Sequence, residues 1–457
     1  MLIAIDPSSG EEVRRVKCDD TAAVEAKLAA AQAAAGPWAQ RSFAQRAELL
    51  RTVATYLRDH RDQLGAYMTE EMGKPQREAV GEVDKAAWCA EHYAEHAASY
   101  LADEELASDA TRSYVRYQPL GPVLGVLPWN APFWLAFRFC APALMAGNPA
   151  LIKHDSHTPG CAQALEQVFA QVGAPAGLFQ ALYLENPQVE AVIQDSRIHA
   201  VSFTGSSRGG AAVASIAGAA LKPTVLELGG SDPSILLPDA DLDAAIPTIC
   251  LSRMINAGQS CIAAKRIIAH ASIYDDVVAR MRTHLSGLRL GDPRSAETDI
   301  GPIAREDLRA ELHRQVQDSV DAGAVLELGG TLPEGLGYFY PVTLLSNVSP
   351  EMSVFREETF GPVAVVIRAS DEAHAVAMAN DSDYGLAASV WGSHDAAWAL
   401  GQQIATGQIV INGIVKTDPR LPSGGIKRSG YGRELGPHGI RAFVNAQQVW
   451  IGPKQDS

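Results

Sequence analysis

The hydrophobic rhythm of the chain changes twice. Over residues 21–100, apolar positions recur every three or four residues in AAVEAKLAAAQAA (22–34), AQRAELLRTVATYLRDH (44–60) and REAVGEVDKAAWCAEHYAEHAASYL (77–101). That is the period of helices with one buried face. GKP at 73–75 breaks the run. Ahead of it, the N-terminal residues read as a short strand and a turn, with PSSGEE as the turn. TRSYVRYQPLG (111–121) then alternates polar and apolar side chains and reads as β structure.

From residue 122 the rhythm becomes strand, helix, strand. VLGVL (123–127), ALIK (150–153), AVSFTG (200–205), TVLELGG (224–230) and PSILL (233–237) predict strands. CAQALEQVFAQVG (161–173) and GGAAVASIAGAAL (209–221) predict helices between them. This alternation builds a mostly parallel, doubly wound sheet. A second alternating region runs from 241 to 412, with VAVVIRA (363–369), AASVWG (387–392) and GQIVING (407–413) as its clearest strands. The expected fold class is α/β, with two α/β domains rather than one sheet.

Composition narrows the class. At 457 residues, with 47% apolar and 20% charged residues, the chain reads as a soluble globular protein of two or three domains. No long apolar run predicts a transmembrane helix, and MLIAIDPSSGEEV has no signal-peptide pattern. Six cysteines, at 18, 89, 140, 161, 250 and 261, are scattered without CxxC spacing. That points to a reducing, cytoplasmic compartment and away from a zinc site, another resident metal or a disulfide framework. The net charge of −15 argues against nucleic acid or an anionic membrane as partner. An anionic small ligand would need its own local cations.

Five stretches carry candidate chemistry. NAGQSCIAAK (256–265) places Cys261 on a loop between a helical run, DLDAAIPTICLSRMI (241–255), and a β-like run, KRIIAHA (265–271). A cysteine so placed can be held accurately and still be reached, although most single cysteines are small buried hydrophobes. FTGSSRGG (203–210) follows a strand and opens a helix, where Gly205 and Ser206 either make a tight turn or let backbone approach a pyrophosphate. PWNAPF (128–133) puts Asn130 on a proline-bounded loop, as a turn former or as an amide donor to an oxyanion. ELGGSDP (227–233) ends an apolar strand on Glu227, which either pairs with a buried cation or acts as a base of raised pKa. In REETFGPV (356–363), Glu357, Glu358 and Phe360 form a surface turn or meet a ribose and a nicotinamide. A thiolate, a carboxylate base, an amide donor and a dinucleotide loop together are what aldehyde oxidation needs.

The set PWN (128–130), FTGS (203–206), ELGGSDP (227–233), GQSC (258–261), EETFGP (357–362) and SGGIKRSGYGRE (423–434) resembles the NAD(P)-dependent aldehyde dehydrogenase superfamily, in order and over nearly the whole chain. KHDSHTPGCAQ (153–163), DSRIHAVSFTGSSRGGAA (195–212) and FREETFGPVA (355–364) look most like its shorter succinate-semialdehyde dehydrogenase branch. The resemblance implies a Rossmann-like dinucleotide-binding domain (1–104 and 120–228), a catalytic α/β domain (229–428) and a small β oligomerisation flap with a tail (105–119 and 429–457). It implies that Cys261 is the nucleophile, Glu227 the base for the deacylating water and Asn130 the oxyanion donor. For the cofactor it implies Lys153 at the adenosine ribose, Gly205 and Ser206 at the pyrophosphate, Trp129 beside the dinucleotide, Glu358 at the nicotinamide ribose and Phe360 as its aromatic neighbour. FVNAQQVWI (443–451) fits a flap strand that pairs with another chain, giving a homodimer or homotetramer.

Two positions depart from the family pattern. Ser156 stands three residues after the ribose lysine, where many NAD-preferring members carry glutamate. The missing carboxylate leaves room for a 2′-phosphate, so both NAD and NADP are expected to work, with His154 and Lys153 as cations for that phosphate. SGG at 423–425 replaces the usual FGG. The expected substrate is an ω-semialdehyde, succinate semialdehyde first, with Arg138 gripping its carboxylate and Arg420 as a second candidate. The alternatives are a broad-specificity aldehyde dehydrogenase or a catalytically silent family member. Gly258 and the small residues 263–264 read as room for an aldehyde and a nicotinamide ring, or as tight packing. Lys265 reads as a strand-edge cation or, if inward, as a group that lowers the thiol pKa or draws in an anionic substrate.

Overall fold

The computed structural model describes residues 1–452. Two large sheets carry the architecture. The first runs, in spatial order, 430–431, 224–227, 200–204, 123–126, 150–153 and 179–181. All its strands are parallel except 430–431, which pairs antiparallel with 224–227 so that Gly430 faces Glu227. The second runs 325–328, 343–346, 363–369, 266–270, 233–236, 387–391 and 408–411. It too is parallel but for its outer strand 325–328.

Both sheets are covered on both faces, which is why VLGV, ALIK and PSIL are buried at every position instead of alternating. One face of the first sheet packs Phe139, Leu144 and Val168 with Leu50, Val83 and Tyr93, from the helices Phe43–Asp59 and Gln76–Tyr100. Its other face packs Leu124, Leu151, Val201 and Leu226 against Val213 and Ala217 of the helix Ser207–Ala219. The second sheet sits between two further apolar layers, around Ile268 and Val365 on one side and Ile267 and Val366 on the other.

The expected elements lie close to their predicted bounds, and VAVVIRA forms the strand Val363–Ala369. A helix over Arg61–Met72 fills the gap that the pattern left between 60 and 73. The tail divides differently from the expected 429–457 unit. Strand 430–431 joins the first sheet, and the helix Gly436–Arg441 packs on the helices Pro132–Ala146 and Gln76–Tyr100. Only Val444–Ile451 joins the small flap sheet, beside 112–119 and then 104–105. The reason is that Gly430–Tyr431 completes the open edge beside Thr224–Glu227. Residues 453–457 of the expected tail lie outside the described residues. No helix among the described residues is long and apolar enough to cross a membrane.

Candidate active site

The two sheets meet at the loop that carries Cys261. The helix Leu242–Met254 stops, and Asn256, Ala257 and Gly258 follow in the left-handed region, at φ 56°, 52° and 73°. Three such residues in a row turn the chain sharply and are held by their surroundings. The Asn256 N–H donates to Glu78 Oε2 at 2.7 Å, and the Asn256 amide donates to the carbonyls of Gln259 and Asn130. A Cβ on Gly258 would lie 2.2 Å from the carbonyl oxygen of Gly361. The small residue is therefore required by backbone contact, which is the tight packing of its two expected roles and not room for a ligand. Arg253, fully buried, donates to the carbonyls of Gly258, Thr359 and Val363. It ties the cysteine loop to the segment that holds Glu358 and Phe360.

Cys261 is partly exposed, whereas Cys89, Cys140, Cys161 and Cys250 are buried. Burial pushes its thiol up to about 11, and Lys265 and Arg138 pull against that shift. Lys265 points inward. Its Nζ is buried and donates to the Cys261 carbonyl at 2.6 Å and to Glu358 Oε1 at 3.0 Å. The open choice for Lys265 is thereby resolved in favour of the inner position.

Asn130 precedes the helix Pro132–Ala146. Glu82 caps that helix by accepting the N–H groups of Phe133 and Trp134 at 2.9 and 3.2 Å, where the helix dipole favours an anion. Lys74 pairs with Glu82 and donates to the Asn130 carbonyl at 2.9 Å. The Asn130 side chain donates to the Gln259 carbonyl at 3.1 Å, two residues before Cys261. The amide is thus fixed against the cysteine loop from both ends.

Glu227 ends the strand Thr224–Glu227, buried among apolar neighbours. Arg138 Nη2 lies 3.2 Å from Glu227 Oε2 and 2.5 Å from Glu434 Oε2. Glu434 Oε1 in turn accepts from Ser202 Oγ at 3.0 Å. Burial raises the Glu227 pKa, the Arg138 charge opposes the rise, and Glu434 adds to it. Glu227 Oε1 is buried and has no hydrogen-bond partner among the described residues, so one carboxylate oxygen is uncommitted. Burial disfavours the Arg138 cation, yet Glu434 and Glu227 outweigh burial and its pKa is raised.

Arg138, the expected grip on the substrate carboxylate, is a single cation between the carboxylates of Glu227 and Glu434. The expectation for Arg420 is corrected. Its exposed guanidinium is held by Asp418 through Nε at 2.8 Å and Nη2 at 2.6 Å, with its central carbon 5.5 Å from the Trp88 ring centroid. Ser423, in place of the usual aromatic, is buried and exchanges both backbone hydrogen bonds with Glu434.

The expected cofactor residues fall into one region along the C-terminal ends of the first sheet's strands, the usual ligand crevice of such sheets. Lys153 is buried at a strand end and donates to Asn186 Oδ1 at 2.8 Å, a neutral partner. Ser156 is half-buried, and Asp155 turns to His157, accepting from its backbone N–H at 3.0 Å. His154 is buried, with both ring nitrogens unpartnered, and burial lowers its pKa to about 4. It is neutral at pH 7, which corrects its expected role as a cation. Ser206 caps the helix Ser207–Ala219 through the Gly209 N–H, with Gly205 just ahead. Trp129 meets Phe360 edge to face, at 5.7 Å between centroids. Glu358 Oε1 accepts from the Gly230 N–H at 3.1 Å, and a Cβ on Gly229 would lie 2.2 Å from Glu358 Oε2.

Sequence reasoning missed Lys74, Glu78 and Glu82 of the helical N-terminal region, and Glu434 of the glycine-rich tail. The acids among them had a signal: Glu82 and Glu434 fall at buried positions of their segments. A buried acid requires a partner.

Comparison with known proteins places the chain. A model of the aldehyde dehydrogenase family matches residues 2–449, and the chain belongs to that family. It is 46% identical, over 98% of its length and 99% of the relative's, to succinate-semialdehyde dehydrogenase [NADP(+)] 1 of Mycobacterium tuberculosis. It shares 46% identity, at the same coverage, with a probable succinate-semialdehyde dehydrogenase [NADP(+)] of Synechocystis sp.. Among solved structures, succinic semialdehyde dehydrogenase from Streptococcus pyogenes in complex with NADP+ superimposes with a TM-score of 0.97 at 36% identity, covering 99% of this chain and all of that one. The fold expected from the resemblance is the one observed.

Proposed function

We propose that this protein oxidises succinate semialdehyde to succinate with NAD(P)+, through a thioester on Cys261. The observation that carries the reading is a partly exposed cysteine whose loop is fixed to Asn130, with Arg138 bearing on that thiol and paired with a buried Glu227 that has one oxygen without a partner among the described residues. The relatives' names support the substrate and the NADP+.

The Cys261 thiolate adds to the aldehyde carbon, and the Asn130 amide donates to the oxygen that becomes negative. Lys265 beside Cys261 favours the thiolate, which is the reactive form. A bound nicotinamide supplies the hydride acceptor that takes the carbon from the aldehyde to the acyl level. Glu227 Oε1 then takes a proton from water. The hydroxide displaces sulfur, the C–S bond breaks, and the carboxylic acid leaves with the thiolate restored. The balance is aldehyde, NAD(P)+ and water in; acid, NAD(P)H and a proton out.

The residues present fit that cofactor. Lys153 is a buried ammonium with only a neutral partner, suited to ribose or phosphate oxygens. Gly205 and Ser206 open a helix whose N-terminus favours a pyrophosphate. Trp129 and Phe360 wall the site, and Glu358 supplies a carboxylate for ribose hydroxyls. Ser156 puts no charge against a 2′-phosphate, so both cofactors are used. Among the described residues the strand Val444–Ile451 has a partner on one edge, and pairing of its other edge with a second copy gives the oligomer.

Steady-state rates with about a dozen charged and neutral aldehydes, each with NAD and NADP, test the reading. A higher kcat/KM for succinate semialdehyde than for butanal is expected. Equal values would replace it with a broad-specificity enzyme.

A further inference from the structure

The thiol loop and the Asn130 loop lie far apart in sequence, and both rest on one helix. Glu78 and Glu82 stand one turn apart on Gln76–Tyr100 and share a face. Glu78 Oε2 accepts from the Asn256 N–H at 2.7 Å, five residues before Cys261. Glu82 Oε1 accepts from the N–H groups of Phe133 and Trp134, just beyond Asn130. Lys74, paired with Glu82, donates to the Asn130 carbonyl. The Asn256 side-chain amide closes the ring by donating to that same carbonyl at 3.0 Å.

The turn before Cys261 needs a holder. Asn256 and Ala257 adopt φ 56° and 52°. Asparagine tolerates that region and alanine pays strain there, so without outside contacts this stretch relaxes toward negative φ. A relaxed turn moves the residues after it, Cys261 included, relative to Asn130. The Glu78 carboxylate is a charged acceptor on the N–H of the first left-handed residue, where one strong contact fixes the direction of the turn. Asn130 spends one amide hydrogen on the Gln259 carbonyl at 3.1 Å, which leaves one for an oxyanion. With a single donor in a single direction, the rate depends on where the thiol stands.

We infer that Glu78 is a positioning residue for thiol addition: acting through Asn256, it sets Cys261 at the distance and angle from Asn130 that the oxyanion requires. The role rests on the reading of Cys261 as nucleophile and Asn130 as oxyanion donor. Glu78 takes no part in bond making. It supplies an acceptor at a given reach, so a neutral acceptor of the same length serves and a shorter carboxylate does not.

The test compares wild type with Glu78→Gln, Glu78→Asp and Glu78→Ala in the full enzyme, with saturating NADP. Gln keeps reach and acceptor, Asp keeps the charge but is shorter, and Ala removes both. In Asp and Ala, kcat/KM for succinate semialdehyde falls about tenfold or more, and Gln largely restores it. The Kd for NADP stays at the wild-type value. Alkylation of Cys261 by iodoacetamide, measured with Cys18→Ser, is not slowed, because it uses the thiol without the oxyanion donor. A general loss of structure would lower all three together, and that outcome overturns the inference. In an Asn130→Ala background, Glu78→Ala costs less than about threefold, because the two act on one step. Equal losses in both backgrounds, a Gln variant as slow as Ala, or an Ala variant at the wild-type rate each overturn the role of Glu78 and leave the substrate reading intact. If Ala does not fold, the contrast of Gln with Asp decides. Asn130→Ala at the wild-type rate would overturn the oxyanion reading itself, and the role of Glu78 with it.

Discussion

Arg138 Nη2 sits 3.2 Å from Glu227 Oε2 inside a buried site, with Glu434 as the second anion on the same nitrogen. This pair decides how the base works. Burial raises the Glu227 pKa, and Arg138 is the cation that holds it in check. In Arg138→Met the Glu227 pKa rises further. The base must be ionised to take a proton from water, so activity is lost as pH falls through its pKa. The acid limb of the kcat profile therefore moves to higher pH, and kcat at pH 7 drops about 10- to 100-fold for charged and neutral aldehydes alike. A selective rise in KM for succinate semialdehyde would instead return Arg138 to the substrate carboxylate.

Lys265 acts on the nucleophile. Its charge lowers the thiol pKa that burial raises. Lys265→Met removes that pull, so at fixed pH less thiolate is present. In a Cys18→Ser background, which removes the other partly exposed thiol, iodoacetamide at pH 8 should label Cys261 about tenfold more slowly per unit of pKa rise. An unchanged labelling profile across pH 7–10 would remove Lys265 from thiol activation.

Gly258→Ala tests the turn before the nucleophile. The residue adopts φ 73°, and a Cβ there meets the Gly361 carbonyl. Strain and clash together should cost at least about 2 kcal/mol. Turnover should fall, because the displaced loop carries Cys261. Thermal unfolding together with kcat reads both effects, and a variant of wild-type midpoint would contradict the geometry.

Ser156→Glu restores the carboxylate that the family pattern leads one to expect. It should leave NAD in use and lower kcat/KM for NADP about 10- to 100-fold by repulsion of the 2′-phosphate. A ratio of the two cofactors equal to wild type would show that this position does not face the ribose.

Much of this was legible in the chain because period and position carry it. ALIK, VAVVIRA and PSILL are unbroken apolar runs because their sheets are covered twice, and such runs announce parallel strands. Glu227 ends a strand, Asn130 stands just before a helix and Cys261 lies on the loop between a helix and a strand, where function gathers. Pairing was not legible. Arg138 looks like a free cation in APFWLAFRFC, and only the fold brings Glu434 to it from 296 residues away. Gly258 fits room for a ligand and tight packing equally in sequence, and only the fold brings the Gly361 carbonyl against it.

Arg253 carries a consequence for rebuilding the enzyme. This wholly buried side chain has no acid partner and spends its donors on carbonyls from two loops, at Gly258 and at Thr359 to Val363. The thiol loop and the loop of Glu358 are therefore one transplantable part. A graft of residues 356–363 from a relative, made to change cofactor choice, has to bring 253–261 with it, or it leaves a charged group in the interior facing carbonyls shaped for another host.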